Sequence, residues 1–140
     1  MQTIAIVIIG LLAGAVFYTS IASIFGTTLL LIGFSLGFGG IALAIASKTT
    51  NQGAYHALIM LLNLPLLFLS NALYRLDSLP KWMQIAAALN PTSYLVDGVR
   101  QLMMKYPGDF PLWLNFIVVF GFGIFFLLVS VHSFKKSQQQ

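Results

Sequence analysis

Four stretches of this chain run long without a single Asp, Glu, Lys or Arg: residues 4–20, 24–46, 55–73 and 113–134. A helix needs about 20 mostly apolar residues to cross roughly 30 Å of hydrocarbon. Soluble domains are about 25% charged. Here charged residues are 7% and hydrophobic residues 59%, too little charge to clothe a water-facing surface. A membrane β-barrel would show alternating segments of about ten residues, whereas these runs are continuous. The chain therefore reads as an all-α membrane protein with four transmembrane helices. The first run follows Met1-Gln2-Thr3 with no basic n-region and no clear cleavage site, so it reads as a span rather than a signal peptide.

The region between the third and fourth runs, residues 74–112, is different. It holds all three acids, Asp77, Asp97 and Asp109, with Arg75, Lys81, Arg100 and Lys105. Asn is a good N-cap and Pro suits the first helical position, so Asn90-Pro91 predicts a helix start. On that helix Leu95, Val99, Leu102 and Met103 share one face, and Asp97, Arg100, Gln101 and Lys105 lie mostly on the other. Asp97 and Arg100 stand one turn apart and are expected to form an exposed pair. A shorter helix over residues 80–89 precedes it. Neither can span, so two short re-entrant or interfacial helices are expected before the last span. Trp82, Trp113, Tyr74, Tyr94 and Tyr106 cluster here, as Trp and Tyr do where membrane meets water.

Within the spans, Gly10 with Gly14 and Gly33 with Gly37 are GxxxG pairs, which let helices approach closely within or between subunits. Asn63 and Pro65 interrupt the third run. Pro65 removes a backbone donor and predicts a kink, and Asn63 at mid-depth needs a polar partner or a wet cavity. Together they mark either a candidate pathway-lining segment or a local bond from Asn63 to the freed backbone or a neighbouring helix. His56 and His132 lie near span ends, and no ionisable residue is expected deep in a span, which argues against a proton- or ion-coupled carrier. No GxxxxGK[ST] loop is present, no Ser/His/Asp or metal-ligand cluster assembles, and there is no cysteine. The net charge of +4 is spread over separate loops and forms no nucleic-acid patch. Lys/Arg counts on the two sides, three against four, leave the orientation open.

An ordered motif series completes the reading: residues 42–52 (ALAIASKTTNQ), 64–72 (LPLLFLSNA), 76–82 (LDSLPKW) and 89–100 (LNPTSYLVDGVR). The series resembles the C-terminal half of type-2 ABC transporter permeases, the exporters of drugs, polysaccharides and lipids. The resemblance implies a multi-pass plasma-membrane subunit with a cytoplasmic C-terminus. Lys48, Thr49, Thr50, Asn51 and Gln52 would form a cytoplasmic loop near the ATPase. Asn90, Pro91, Tyr94, Asp97 and Arg100 would form the extracytoplasmic re-entrant motif within residues 74–112. Its implied partners are an ABC ATPase subunit, a second permease copy and membrane lipid, with no nucleic acid. ATP and Mg would belong to the partner, leaving this chain without a cofactor and without enzymatic activity. The four runs would match the family's third to sixth spans, so the chain is expected to lack the first two. A non-transporting membrane scaffold or assembly subunit is the alternative.

Overall fold

The computed structural model describes residues 20–49, 51–72, 76–105 and 107–137. Among them are five α-helices and no strand: α1 (Ile21–Ala46), α2 (Gln52–Phe68), α3 (Lys81–Leu89), α4 (Pro91–Met104) and α5 (Leu112–Ser137), with a 3-10 turn at Leu76–Ser78 before α3. Ser20 caps α1, its hydroxyl accepting from Ser23 N at 3.1 Å. The helix thus starts three residues before the expected position. α5 runs through Lys135 and Lys136 to Ser137, because charge marks a membrane edge and not a helix end.

Two of these helices are long and apolar enough to cross a membrane: α1, with 26 residues, and α5 over Leu112–Ser133. At 1.5 Å per residue α1 is about 39 Å long. Two of the four expected transmembrane helices, the second and the fourth, correspond to these. The first expected span, with Gly10 and Gly14, lies outside the described residues. The third becomes α2, which has 17 residues, about 26 Å, and ends at Phe68 instead of residue 73. Pro65 stands in its last turn rather than kinking its middle. Beyond it Leu69 N donates to Pro65 O at 2.9 Å and Ser70 N to Leu67 O at 3.4 Å. The Ser70 hydroxyl also donates to Leu67 O, at 2.7 Å. Ser70 and Asn71 are fully buried in the turn that follows, so the chain leaves the helix where polar side chains find partners.

α1 and α5 lie side by side and run in the same direction. Along α1, Gly26, Gly33, Gly37 and Gly40 meet Phe116, Val119, Phe122 and the Phe126 backbone in turn. A Cβ at Gly40 would stand 2.6 Å from the Phe126 carbonyl, so a side chain there is incompatible with this spacing. The Gly33–Gly37 pair therefore serves packing within the chain. α4 runs opposite to α1, with Leu102 against Gly26 and Leu30 against Gly98. Leu30, Tyr94 and Val119 form the buried core, flanked by Phe34, Leu102, Phe110 and Phe116. No residue of α2 is buried, and the outer faces of α1 and α5 expose Phe25, Phe125 and Leu128, as suits contact with lipid tails.

Candidate functional site

The α3–α4 pair is built from its apex. Asn90 is extended at φ −92°, ψ 116°, with Pro91 in the first turn of α4. Its Oδ1 accepts from Thr92 N at 3.0 Å, filling one of the orphan donors at a helix start. Its Nδ2 donates to Leu66 O at 2.8 Å, a carbonyl left free where α2 ends. One buried side chain thus caps α4 and ties it to α2. Thr92 borders the same cleft as Phe34 and Phe38, near the midpoint of α1, whereas Leu102 meets Gly26 in α1's second turn. α4 therefore slants from the end of the bundle down to half its depth.

At the shallower end the polar face of α4 turns inward. Asp97, 2% exposed, accepts four hydrogen bonds. Asp109 N donates to Oδ1 at 2.9 Å. Oδ2 takes Phe110 N at 3.1 Å, Gln101 Nε2 at 2.8 Å and Asn115 Nδ2 at 3.0 Å. Burying a carboxylate is costly unless donors replace its water, and here the replacement comes from the α4–α5 loop and from α5. Gln101 Nε2 also donates to Phe110 O at 2.7 Å. Arg100 points the other way: Nη1 donates to Asn71 O and Nη2 to Ala72 O, both at 2.9 Å. A cation over the carbonyls that follow a helix end is favourable. Asn71 Nδ2 closes the circuit on Asp109 Oδ2 at 3.0 Å.

Two expectations are corrected by this geometry. Asp97 and Arg100 do not form an exposed pair; each serves separate, partly buried partners. Asp97 is buried in α4, outside the two long apolar helices, so it leaves untouched the expectation of no ionisable residue deep in a span. Tyr94 is not an interface residue. It is 8% exposed, stacks on Phe110 with centroids 4.5 Å apart, and donates its hydroxyl to Ala88 O at 2.7 Å. Burial pushes its phenol pKa upward. Trp82 and Trp113, by contrast, are largely exposed.

At the far end of the bundle, Asn51 caps α2 by accepting from Gly53 N at 2.8 Å. Thr49 Oγ1 donates to Ile45 O at 2.9 Å, and Lys48 and Gln52 are exposed. Thr50 lies outside the described residues. Lys48 and Thr49 rim a cleft of ≈ 420 Å³ walled by Ile45, Leu58, Leu62 and Phe126. Asn63 and Pro65 do not share one site: Asn63 borders the cleft beside Thr92, while Pro65 borders the one beneath the Asn90 apex. The partners missed in the sequence were Asn71, Gln101, Asp109 and Asn115. The signal for Asn115 was a lone amide inside an apolar run.

Residues 1–104 match the family described as ABC-2 type transporter. The chain is 37% identical over 110 residues to the transport permease ycf38 of Porphyra purpurea, covering 78% of this chain and 37% of that protein. It is 28% identical over 132 residues to the daunorubicin resistance ABC transporter permease protein DrrB1 of Streptomyces coeruleorubidus, covering 93% and 46%. Nodulation protein J of Rhizobium leguminosarum bv. trifolii is 28% identical over 99 residues, covering 71% and 38%. The chain thus spans between about a quarter and a half of the length of the curated relatives it matches. No solved structure matches it. With a family match that covers most of its length and two apolar helices locked by glycines, this membrane protein belongs to the ABC-2 type transporter family.

Proposed function

We propose that this chain forms part of the membrane-spanning permease of an ABC exporter, moving drug-, lipid- or polysaccharide-like substrate outward. The observation that carries this reading is the family match across residues 1–104. ATP and Mg reside in a separate ATPase subunit, and this chain does no covalent chemistry. The turn with Lys48, Thr49, Asn51 and Gln52 faces that ATPase from the cytoplasmic end. Lys135 and Lys136 share that end, because α1 and α5 run in parallel, and all three acids lie beyond the opposite end of α2. Asn90, Pro91, Tyr94, Asp97 and Arg100 build a plug at the outer mouth. Its polar face is directed inward, as expected of polar groups held within a membrane bundle. A second permease copy completes the pathway in the plasma membrane.

The test is copurification of the chain, within its full permease, with a P-loop ATPase, followed by hydrolysis assays in liposomes. A stable complex whose hydrolysis rises with an amphipathic substrate is the expected result. A permease that recruits no ATPase would overturn the reading in favour of a membrane scaffold.

A further inference from the structure

The last of the glycine contacts between α1 and α5 is Gly40 on the Phe126 backbone. Beyond it these helices and α2 enclose a cleft of ≈ 420 Å³, walled by Ile41, Ala44, Leu58, Leu62 and Phe126 and rimmed by Lys48. From Ile41 to Lys48 it runs about 10 Å along α1. Leu58 and Leu62 keep 42% and 39% exposure, so the cleft is open along its flank to the surroundings of the bundle. The hydroxyls at its rim are spent: Ser47 Oγ donates to Ala44 O and Thr49 Oγ1 to Ile45 O, both at 2.9 Å. Lys48 is exposed, and its ammonium has no partner among the described residues. The sequence offers none nearby, since all three acids lie between residues 77 and 109, beyond the opposite end of α2. The last turn of α5 adds Lys135 and Lys136 to the same end.

We propose that this cleft is a docking site for one phospholipid of net negative charge, with its phosphate at Lys48 and the upper part of one acyl chain against α1 and α2. Wall and rim select this occupant together. The wall takes an alkyl chain and offers no hydrogen bond, so a water-soluble anion gains nothing from it. The rim carries an unpaired cation and no acid, so a headgroup of net negative charge gains more there than a zwitterionic one. A lysine stem lies along apolar surface while its ammonium reaches headgroup level, and basic pockets between transmembrane helices suit anionic headgroups. The volume lies within the range of sites that hold one small molecule. No residue of α2 is buried, so a chain seated there braces α2 against α1 and α5. The proposal goes beyond the export reading and rests only on α1 and α5 crossing a membrane.

The experiment reads lipid binding alone, so it stands or falls separately from ATPase coupling. The chain in phosphatidylcholine nanodiscs is photolabelled with a trace of phosphatidylglycerol and, in parallel, of phosphatidylcholine, each carrying the same acyl-chain diazirine. The phosphatidylglycerol probe is expected to label residues 41–45 and 58–62 about fivefold more strongly, the ratio that about 1 kcal/mol per lysine near a charged membrane surface confers. Lys48→Gln, a change in an exposed turn, should erase that preference, and Lys48→Arg should keep it. Lys135→Gln combined with Lys136→Gln should leave most of it. Ala44→Leu, which fills the cleft, should reduce labelling of residues 58–62 by both probes. Equal labelling by the two probes, labelling spread evenly along the lipid-facing surface, or a preference that survives Lys48→Gln would each overturn the proposal. So would a preference that the paired α5 substitutions remove as fully as Lys48→Gln, which would assign it to the charged end at large.

Discussion

Asp97 shows at the scale of a single residue why an amphipathic pattern does not by itself tell which face is exposed. Periodicity placed it correctly on the face shared with Gln101, but that face is packed inside the bundle along with the face that carries Leu95 and Leu102. Gln101, one turn on, is the donor that local spacing finds; the other three come from residues 109, 110 and 115, too far along the chain for it. The Asn90 cap, by contrast, is a bond within one turn and was legible at once. Asp97→Ala strands four donors and should cost roughly 3–5 kcal/mol, measured by reversible unfolding in detergent. Asp97→Asn keeps one acceptor oxygen and should cost about half as much. Tyr94 adds a pH dependence. Burial raises its phenol above the ordinary value of 10.0, so its contribution is complete below that pH. The contribution is lost as pH rises through the raised folded value. Stability should fall more steeply with alkali in the wild type than in Tyr94→Phe, which itself loses about 1 kcal/mol with the Ala88 bond. Parallel slopes for the two proteins would remove Tyr94 from this role.

Helix existence was legible at the scale of elements; helix length was not. Apolar run length located α1 and α5, because their lipid-facing surfaces require continuous hydrophobicity. It overran α2, because Leu69 and Leu73 keep the run apolar after the backbone has turned at Ser70-Asn71. Hydropathy records what a residue prefers to face, and not where a backbone hydrogen bond is broken. The glycines make the complementary case: spacing marked Gly33 and Gly37 as contact residues, and the structure supplies α5 as the partner. Gly40 and Gly39 offer a matched test. A methyl at Gly40 meets the Phe126 carbonyl, whereas one at Gly39 meets nothing within 4 Å. Gly40→Ala should therefore destabilise the α1–α5 pair by about 1–3 kcal/mol, the usual cost of overpacking. Gly39→Ala should be neutral or gain up to about 1 kcal/mol from helix propensity. Equal effects in an unfolding titration would show that the two helices separate without cost.

The whole molecule is organised by the parallel course of α1 and α5, which stay in contact from Gly26 beside Phe116 to Gly40 beside Phe126. Parallel neighbours need an odd number of passages between them, and the described chain has only α2 and the α3–α4 pair to provide the return. α2 covers the first part, the turn at Ser70-Asn71 is pinned by Arg100, and the α3–α4 pair dips back to Asn90 before emerging into the α4–α5 loop. Ser78 therefore belongs to one end of the bundle, and Lys48 and Ser137 to the other. The native sequence has no cysteine, so single substitutions report without background. Lys48→Cys and Ser137→Cys should react with a membrane-impermeant maleimide from the same side of sealed vesicles, and Ser78→Cys from the opposite side. If the export reading is right, Ser78→Cys is the one labelled on intact cells. Lys48→Cys and Ser137→Cys labelling from opposite sides would contradict the parallel packing itself. Agreement among the three with Ser78→Cys protected on intact cells would leave the packing standing and reverse only the orientation.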